Sequence, residues 1–349
     1  MPNPLKLTSL WRVIKDTDLD AIRGAARARF TLAIGAESAD DGHTLRRLLT
    51  GPDAPPHPWI EVATGAADGI TPESLSALTQ TPMAGLLLTR HQDLSPGLKL
   101  AGNRFAAESA PVLTVVIGDT SRTAKVLRPG EHSRVAVEAL DAAALEAIAS
   151  ALVNTVSEDQ QLALGAQFPP LRQAIFARTI ERTARANASF ALTTGLAETI
   201  PLLTAPLNLG DMVVLTKNQL MMCYRLALSA GKDDEPRKMM GEIIGVLGGG
   251  VLFRQIARQL VGLIPIAGLL PKVTIAYAGT YAIGRAMVGW TTEGRQVTVE
   301  AVSGYSREGL ARGRALAEYL VEEAGSRTGR VARRFEQLKN LLPRKRAPR

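Results

Sequence analysis

Aromatic residues make up only 4% of this 349-residue chain, and it has a single cysteine, Cys223. So few rings exclude a stacking platform for nucleic-acid bases. The core must instead be built from Ala, Leu, Val and Ile, closed up by helix contacts at some of the 31 glycines. One cysteine excludes an internal disulfide framework and suits a reducing compartment. It lies in "NQLMMCYRLAL", an apolar helical stretch where a buried, inert thiol is expected. The four histidines, His43, His57, His91 and His132, fall in separate loops without H-x-x-x-H or C-x-x-C spacing, so no metal site is expected. No G-x-S-x-G is present, which removes an α/β-hydrolase nucleophile elbow. The first thirty residues lack an apolar h-region and carry Trp11, Asp16, Asp18 and Asp20, so no secretory signal is expected and the chain is placed in the cytoplasm.

What is there begins with charge. The formal net charge is +8, yet the last twenty residues alone hold eight Lys/Arg and one Glu, a net of +7. Nearly the whole excess is therefore a C-terminal tail. This argues against a basic nucleic-acid face on the folded body. It leaves a solvated end, or one drawn to an anionic surface such as lipid headgroups.

Along the chain, residues 4–29 place Leu7, Leu10, Trp11, Ile14 and Ile22 at helical spacing, an amphipathic lead-in helix with a break near Asp16. From Phe30 short β-rich runs alternate with helical segments. The runs are "FTLAI" (30–34), "WIEVA" (59–63), "GLLLT" (85–89), "VLTVVI" (112–117) and "SRVAVEA" (133–139). Apolar runs alternating with helices predict a parallel sheet covered on both faces, an α/β domain over 30–155. Beyond Glu158 no strand is expected. Helical segments follow, one ending at Gly231, then the charged linker "KDDEP" and the most hydrophobic part of the chain, 239–290. Residues 306–342 read as a polar helix with Val331, Phe335, Leu338 and Leu342 on one stripe.

The stretch "RFTLAIGAESADDGHTLRRLL" (29–49) has the outline of a strand, a phosphate loop and a helix opening at "GHT". A working loop needs G-x-x-x-x-G-K-[ST], with lysine to neutralise the β/γ charge and a hydroxyl to hold Mg²⁺. Here six residues separate Gly35 from Gly42 where the motif has four, His43 stands at the lysine position and Thr44 at the hydroxyl position. Glu37, Asp40 and Asp41 would repel a triphosphate. The outline is kept and the charge logic is reversed. Asp68, Asp93 and Asp119 each follow a strand, where an α/β domain places its site. The glycine run "GVLGGGVLF" (245–253) lies in an apolar helical stretch with no strand before it, and reads as a hinge or tight helix contact.

This order of elements resembles a bacterial small GTPase domain followed by the helical, hydrophobic domain of unknown function of the YcjF-like family. "PVLTVVIGDTSR" (111–122) falls where such GTPases read guanine with Asn-Lys-x-Asp, but Ile117, Gly118, Asp119 and Thr120 stand there. "WIEVATGAADG" (59–69) resembles the switch strand without a D-x-x-G, and only Ala139 matches the Ser-Ala loop. Residues 158–292 resemble the second family through "PPLRQAIFARTIERTARANASFAL", the Q-x-x-M helix with Gln219 and Met222, and the Ile-Pro-x-x-Gly turn before an alanine/glycine helix. The resemblance implies a degenerate P-loop GTPase-like sheet, then an all-α, glycine/alanine-rich hydrophobic domain. Residues 1–29 would be the lead-in helix and 293–349 a charged helix and basic tail.

A spanning helix needs about twenty apolar residues. Thirteen uncharged residues separate Arg258 from Lys272, and twelve separate Lys272 from Arg285. Pro265 and Pro271 would mark a turn between two short helices packed through Gly262, Gly268, Gly279 and Gly284. Such a unit docks on or dips into a bilayer, or forms a fully soluble core. The resulting expectation is a non-enzymatic scaffold or adaptor at the inner face of the membrane, without cofactor, nucleic acid or nucleotide. Its partner would be an anionic membrane surface or a membrane protein, and homo-oligomerisation is left open. Two alternatives stand beside it. One is an atypical NTPase in which Gly35, Gly42, His43 and Thr44 still bind nucleotide, Thr44 holding Mg²⁺ and Arg46 or Arg47 supplying charge. The other is a fully soluble interaction protein.

Overall fold

The computed structural model describes residues 11–12, 14–51, 55, 57–64, 70–118, 133–198, 207–246 and 269–341. Five strands form one parallel sheet: β1 (Leu32–Ala36), β2 (Ile60–Thr64), β3 (Ala84–Thr89), β4 (Val112–Ile117) and β5 (Ser133–Val137). Their order is β2-β1-β3-β4-β5, with Leu32 level with both Ile60 and Ala84. The three central strands are buried along their whole length, which is why each reads as an unbroken apolar run. The edge strands β2 and β5 are only partly buried, and there the runs carry Glu61 and Arg134.

Helices cover both faces. Each of α1 (Leu19–Arg27), α2 (Ala39–Thr50), α3 (Pro72–Ser76), α4 (Pro96–Ala107) and α5 (Ala142–Thr155) starts at a side-chain cap, from Asp18, Ser38, Thr71, Ser95 and Asp141 respectively. On one sheet face Leu45 and Leu49 of α2 and Ile148 and Leu152 of α5 pack on Leu32, Ile34, Leu86 and Val115. On the other, Leu75 of α3 and Leu98 and Phe105 of α4 pack on Ala33, Ala63 and Leu87. Alternate residues of each strand thus enter opposite layers, as the period of two requires. Phe105 lies so close that a Cβ at Gly85 would stand 2.3 Å from its ring.

From residue 158 every described element is helical: α6 (Glu158–Gln167), a 3₁₀ turn (Pro169–Leu171), α7 (Arg172–Glu198), α8 (Leu207–Ser229), α9 (Pro236–Val246), α10 (Leu269–Glu293) and α11 (Val299–Leu341). The chain leaves α8 through Gly231, whose φ of +87° suits glycine, as the sequence leads one to expect. The second core gathers Ile180, Ala184, Tyr224, Met239, Ile243, Tyr277, Ala282 and Met287. Leu19 and Ile22 of α1 pack against this helical core, not against the sheet. Arg23 and Arg27 hold Asp233 at 2.8 and 2.7 Å, and Tyr224 donates to the Leu19 carbonyl.

The hydrophobic stretch differs from its expected form in one respect. Pro271 does not divide two short helices. It sits in the first turn of a 25-residue helix, where a missing N–H breaks no hydrogen bond. Pro265, Gly262 and Gly268 lie outside the described residues. Gly284 does make a close helix contact, since a Cβ there would stand 2.6 Å from Ile180 Cγ1. Among the described residues no helix is long and apolar enough to cross a membrane.

A ring cluster closes the sheet's core just before the 3₁₀ turn that leads into α7. Phe168, fully buried, stands edge-on to Phe30, and His57 tilts over it at 4.6 Å between centroids. Burial lowers the His57 pKa from the ordinary 6.5. Above pH 6.5 both folded and unfolded chains hold a neutral ring. As pH falls through 6.5 the unfolded chain takes up the proton first, and stability is lost. Replacing His57 with Gln should flatten this acid slope of the urea midpoint between about pH 6.5 and 5. The independent Gly284→Ala variant should lower stability by about 1–3 kcal/mol through overpacking, read by urea denaturation at pH 7.

Candidate functional site

In a doubly wound parallel sheet the chain reverses direction where two neighbouring strands send their helices to opposite faces. The crevice beyond their carboxyl ends is where ligands bind. Here that point lies between β1 and β3, with α2 behind one and α4 before the other. The crevice is built from Glu37 and Ser38, which link β1 to α2, and from Thr89, Arg90 and His91 at the end of β3.

The connection is much shorter than the loop expected from the sequence. Ser38 accepts from the Asp41 N–H, and the helix begins at Ala39, not at "GHT". Ala39 is a strong helix former. Asp40 and Asp41 in the first turn complement the positive end of the helix, so the acidic stretch folds as helix and not as a cradle. A two-residue turn therefore stands where a phosphate loop would wrap its ligand.

The four candidate nucleotide-binding residues follow from this. Gly35 lies within β1, where a Cβ would meet Leu87 at 3.2 Å and Ala101 at 3.3 Å. Gly42 lies inside α2, and a Cβ there would stand 2.8 Å from Val62 Cγ1, so this glycine lets the helix approach β2. His43, the next residue of α2, is exposed. The Thr44 hydroxyl accepts from the Arg47 guanidinium at 3.1 Å. All four sit on the strand and helix flanking the crevice, and none belongs to the turn that forms its floor.

The groups that do meet across the crevice are Glu37 with Thr89 and Asp41 with Arg90. The Thr89 hydroxyl, almost fully buried, donates to Glu37 Oε2 at 3.1 Å and accepts from the His91 N–H at 3.0 Å. Arg90 grips Asp41 with two hydrogen bonds of 2.8 and 2.9 Å. Donating to the Asp41 carboxylate raises the Arg90 pKa, so the guanidinium stays charged and committed to its own chain. The helix end that would attract a phosphate is thus occupied by the protein's own carboxylates. Sequence reasoning singled out the acids as repulsive but missed their partners; "LLLTRH" (86–91), with a threonine and an arginine at the end of a strand, was the available signal.

Of the acids following strands, Asp93 is exposed on the surface, while Asp68 and Asp119 lie outside the described residues, as does His132. Among the described residues no group of His, Cys, Asp and Glu is placed to hold a metal ion. Cys223 is fully buried, and burial pushes its thiol up to about 12, so it is inert as a nucleophile.

A second polar cluster lies within the helical unit. The Asn187 amide donates to Thr280 Oγ1 at 2.9 Å, and its oxygen accepts from Asn218 at 2.8 Å. Gln219 donates to the same Thr280 oxygen at 3.0 Å. Asn187 and Thr280 are fully buried. Amides and a hydroxyl at these positions bind three helices together but offer no group that titrates near neutrality.

No family model, no curated protein and no solved structure matches the chain. The chemistry of the crevice therefore rests on its own geometry, and its most exposed premise is where α2 begins. If α2 starts at Ser38, Ser38→Ala should lower stability by about 1 kcal/mol in urea denaturation. A neutral outcome would place the helix start further along, at Gly42.

Proposed function

We propose that this protein is a non-enzymatic scaffold or adaptor that works at the inner face of a membrane, built on a degenerate GTPase-like α/β domain fused to a YcjF-like helical domain. The observation that carries this reading is the closed crevice between β1 and β3. Glu37 is engaged by Thr89, Asp41 by Arg90, and the helix end behind them is capped by Ser38. A triphosphate would have to displace two carboxylates, and it would find no lysine to replace them. Retention of the sheet with loss of its charge pattern is what a binding body that has given up turnover requires.

The membrane side of the reading is supported by the charge distribution. In the sequence the last twenty residues carry eight Lys/Arg interleaved with Val331, Phe335, Leu338 and Leu342, and α11 runs as far as Leu341. A cationic amphipathic helix lies on an anionic lipid surface, with roughly 1 kcal/mol of attraction from each basic residue close to it.

Two measurements test the proposal together. GTP or ATP with Mg²⁺ should leave the melting temperature unchanged, whereas a ligand at one hundred times its dissociation constant adds about 2.7 kcal/mol. In flotation the full chain should rise with phosphatidylserine-containing vesicles and stay behind with neutral ones. Removing the last twenty residues, or adding salt to shorten the screening length to about 3 Å at 1 M, should weaken that association. Nucleotide stabilisation abolished by Thr44→Ala would instead overturn the scaffold reading and favour the nucleotide-binding alternative.

A further inference from the structure

We infer that the cavity between the lead-in segment and the start of α9 binds a small amphiphilic anion, a single-chain carboxylate of the fatty-acid class. The site lies apart from the crevice of the sheet and stands whether or not the chain works at a membrane.

The break in the lead-in helix near Asp16 is what opens the space. A helical turn ends at Ile14, and the chain bends over Lys15, Asp16 and Thr17. The Thr17 N–H donates to the Ile14 carbonyl at 2.9 Å, and α1 begins at Leu19 under the Asp18 cap. Across from this bend stand Pro236 and Arg237, the first two residues of α9. Between the two lies a cavity of about 670 Å³. Close-packed interiors leave few voids larger than a water molecule, whereas spaces of roughly 300–1,000 Å³ hold small organic ligands.

The walls are fixed from behind. Ile14 is buried in the core of the helical unit, and Trp11 packs against the same core. A Cβ at Gly241 of α9 would stand 3.9 Å from the Trp11 ring. Arg23 and Arg27 of α1 hold Asp233, three residues before Pro236, and Arg23 also donates to the Asp233 carbonyl at 2.7 Å. Tyr224 of α8 donates to the Leu19 carbonyl at 3.2 Å. The bend and the start of α9 are thus tied to one another and to the core. A ligand entering between them finds its site already formed and does not have to order it.

The lining has two characters. Trp11, Ile14, Leu19 and Pro236 supply apolar surface. Arg12, Lys15 and Arg237 supply three exposed cations, and among the described residues none of them has a carboxylate partner. The nearby Arg23 and Arg27, by contrast, are both held by Asp233. Asp18 and Asp20 are the negative groups, and Asp18 is engaged by the Ala21 N–H at 2.8 Å. Three cations against two carboxylates leave one positive charge at the cavity. A single anionic head on an apolar body matches both the surplus and the lining. A polyanion such as a nucleotide would be repelled by the two aspartates, and a cationic amphiphile by the three basic side chains.

The dye anilinonaphthalene sulfonate, an apolar ring system with one negative charge, tests the site in the full-length protein. It should bind saturably, at about one dye per chain. Dodecanoate, kept below its aggregation concentration, should displace it, and decanoate, two methylenes shorter, should do so about tenfold less well. Dodecyltrimethylammonium should not compete. Arg237→Glu should weaken dodecanoate binding about tenfold without moving the melting temperature, because that side chain is exposed and unpaired among the described residues. Lys99→Glu, an equal charge change on the exposed face of α4, should leave binding as it was. A full chain that binds no dye, or binds it weakly at many places whatever stands at 237, would overturn the assignment. Equal competition by the cationic amphiphile would do the same. If Arg237→Glu spares dodecanoate binding but abolishes flotation with phosphatidylserine vesicles, these cations serve a bilayer and the assignment falls. Dodecanoate binding in a chain that does not float would remove the membrane reading and uphold this one.

Discussion

Helix α7 is the constraint on which the other parts depend. The 3₁₀ turn before it places Leu171 in the core of the sheet, and Ile175 in the helix's own first turn lies in the same core. A turn and a half further on, Ile180, Ala184 and Ala188 belong to the core of the helical unit. One continuous helix therefore carries both cores, and neither can shift without moving the other. Arg172 secures the junction by donating to the carbonyls of Gly165 and Ala166 at the end of α6. Its guanidinium is itself partly desolvated, which lowers its pKa, but arginine remains charged far above neutrality. The joint is accordingly a hydrogen-bonded cation capping a helix end, backed by the rings of Phe30, His57 and Phe168.

At the other side of the sheet, the crevice shows how a fold can outlast its chemistry. Parallel strands with a reversal at β1/β3 create a concavity and a positive helix end, whatever side chains line it. Something must satisfy the free N–H groups at that helix end. In this chain the Ser38 hydroxyl accepts from the Asp41 N–H, while the carboxylates beside it are engaged by Thr89 on Glu37 and Arg90 on Asp41. The pair is half open to water, with the Asp41 side chain at 14% and that of Arg90 at 61% exposure, so its contribution to stability is modest. Its structural effect is larger, because a bidentate arginine defines the distance between the ends of β3 and α2.

The sheet was legible in the sequence because its strands are buried on both faces, so apolar runs and intervening helices gave five strands displaced by at most two residues. The start of α2 was not. "SADDG" satisfies two descriptions, acidic loop or capped first turn, and only the distance from β1 to the packed Leu45 and Leu49 decides between them. The partners of Glu37 and Asp41 were invisible for a related reason. Thr89 and Arg90 lie about fifty residues away, and only the strand register brings them opposite. In the helical half, glycine and alanine content foretold close helix contacts such as Gly284 on Ile180. It did not foretell which helices would meet, since small residues accept many neighbours.

That last ambiguity explains why a polar cluster sits where an apolar core would be expected. Ala184, Ala188, Ala278 and Ala282 present smooth surfaces, and one helix could slide a turn along another with little change in apolar burial. Asn187, Asn218, Gln219 and Thr280 remove that freedom. Each bond in the cluster is specific to one register, and a slip of one turn would leave the fully buried Asn187 without a partner, at about 1–3 kcal/mol for the stranded group. Buried amides stabilise little in sum, yet they separate one packing from its near-equals. The same register decides which residues reach the end of the bundle. Val213 stands exposed on α8 about a turn and a half before Asn218, on a helix whose alignment these hydrogen-bonding side chains fix.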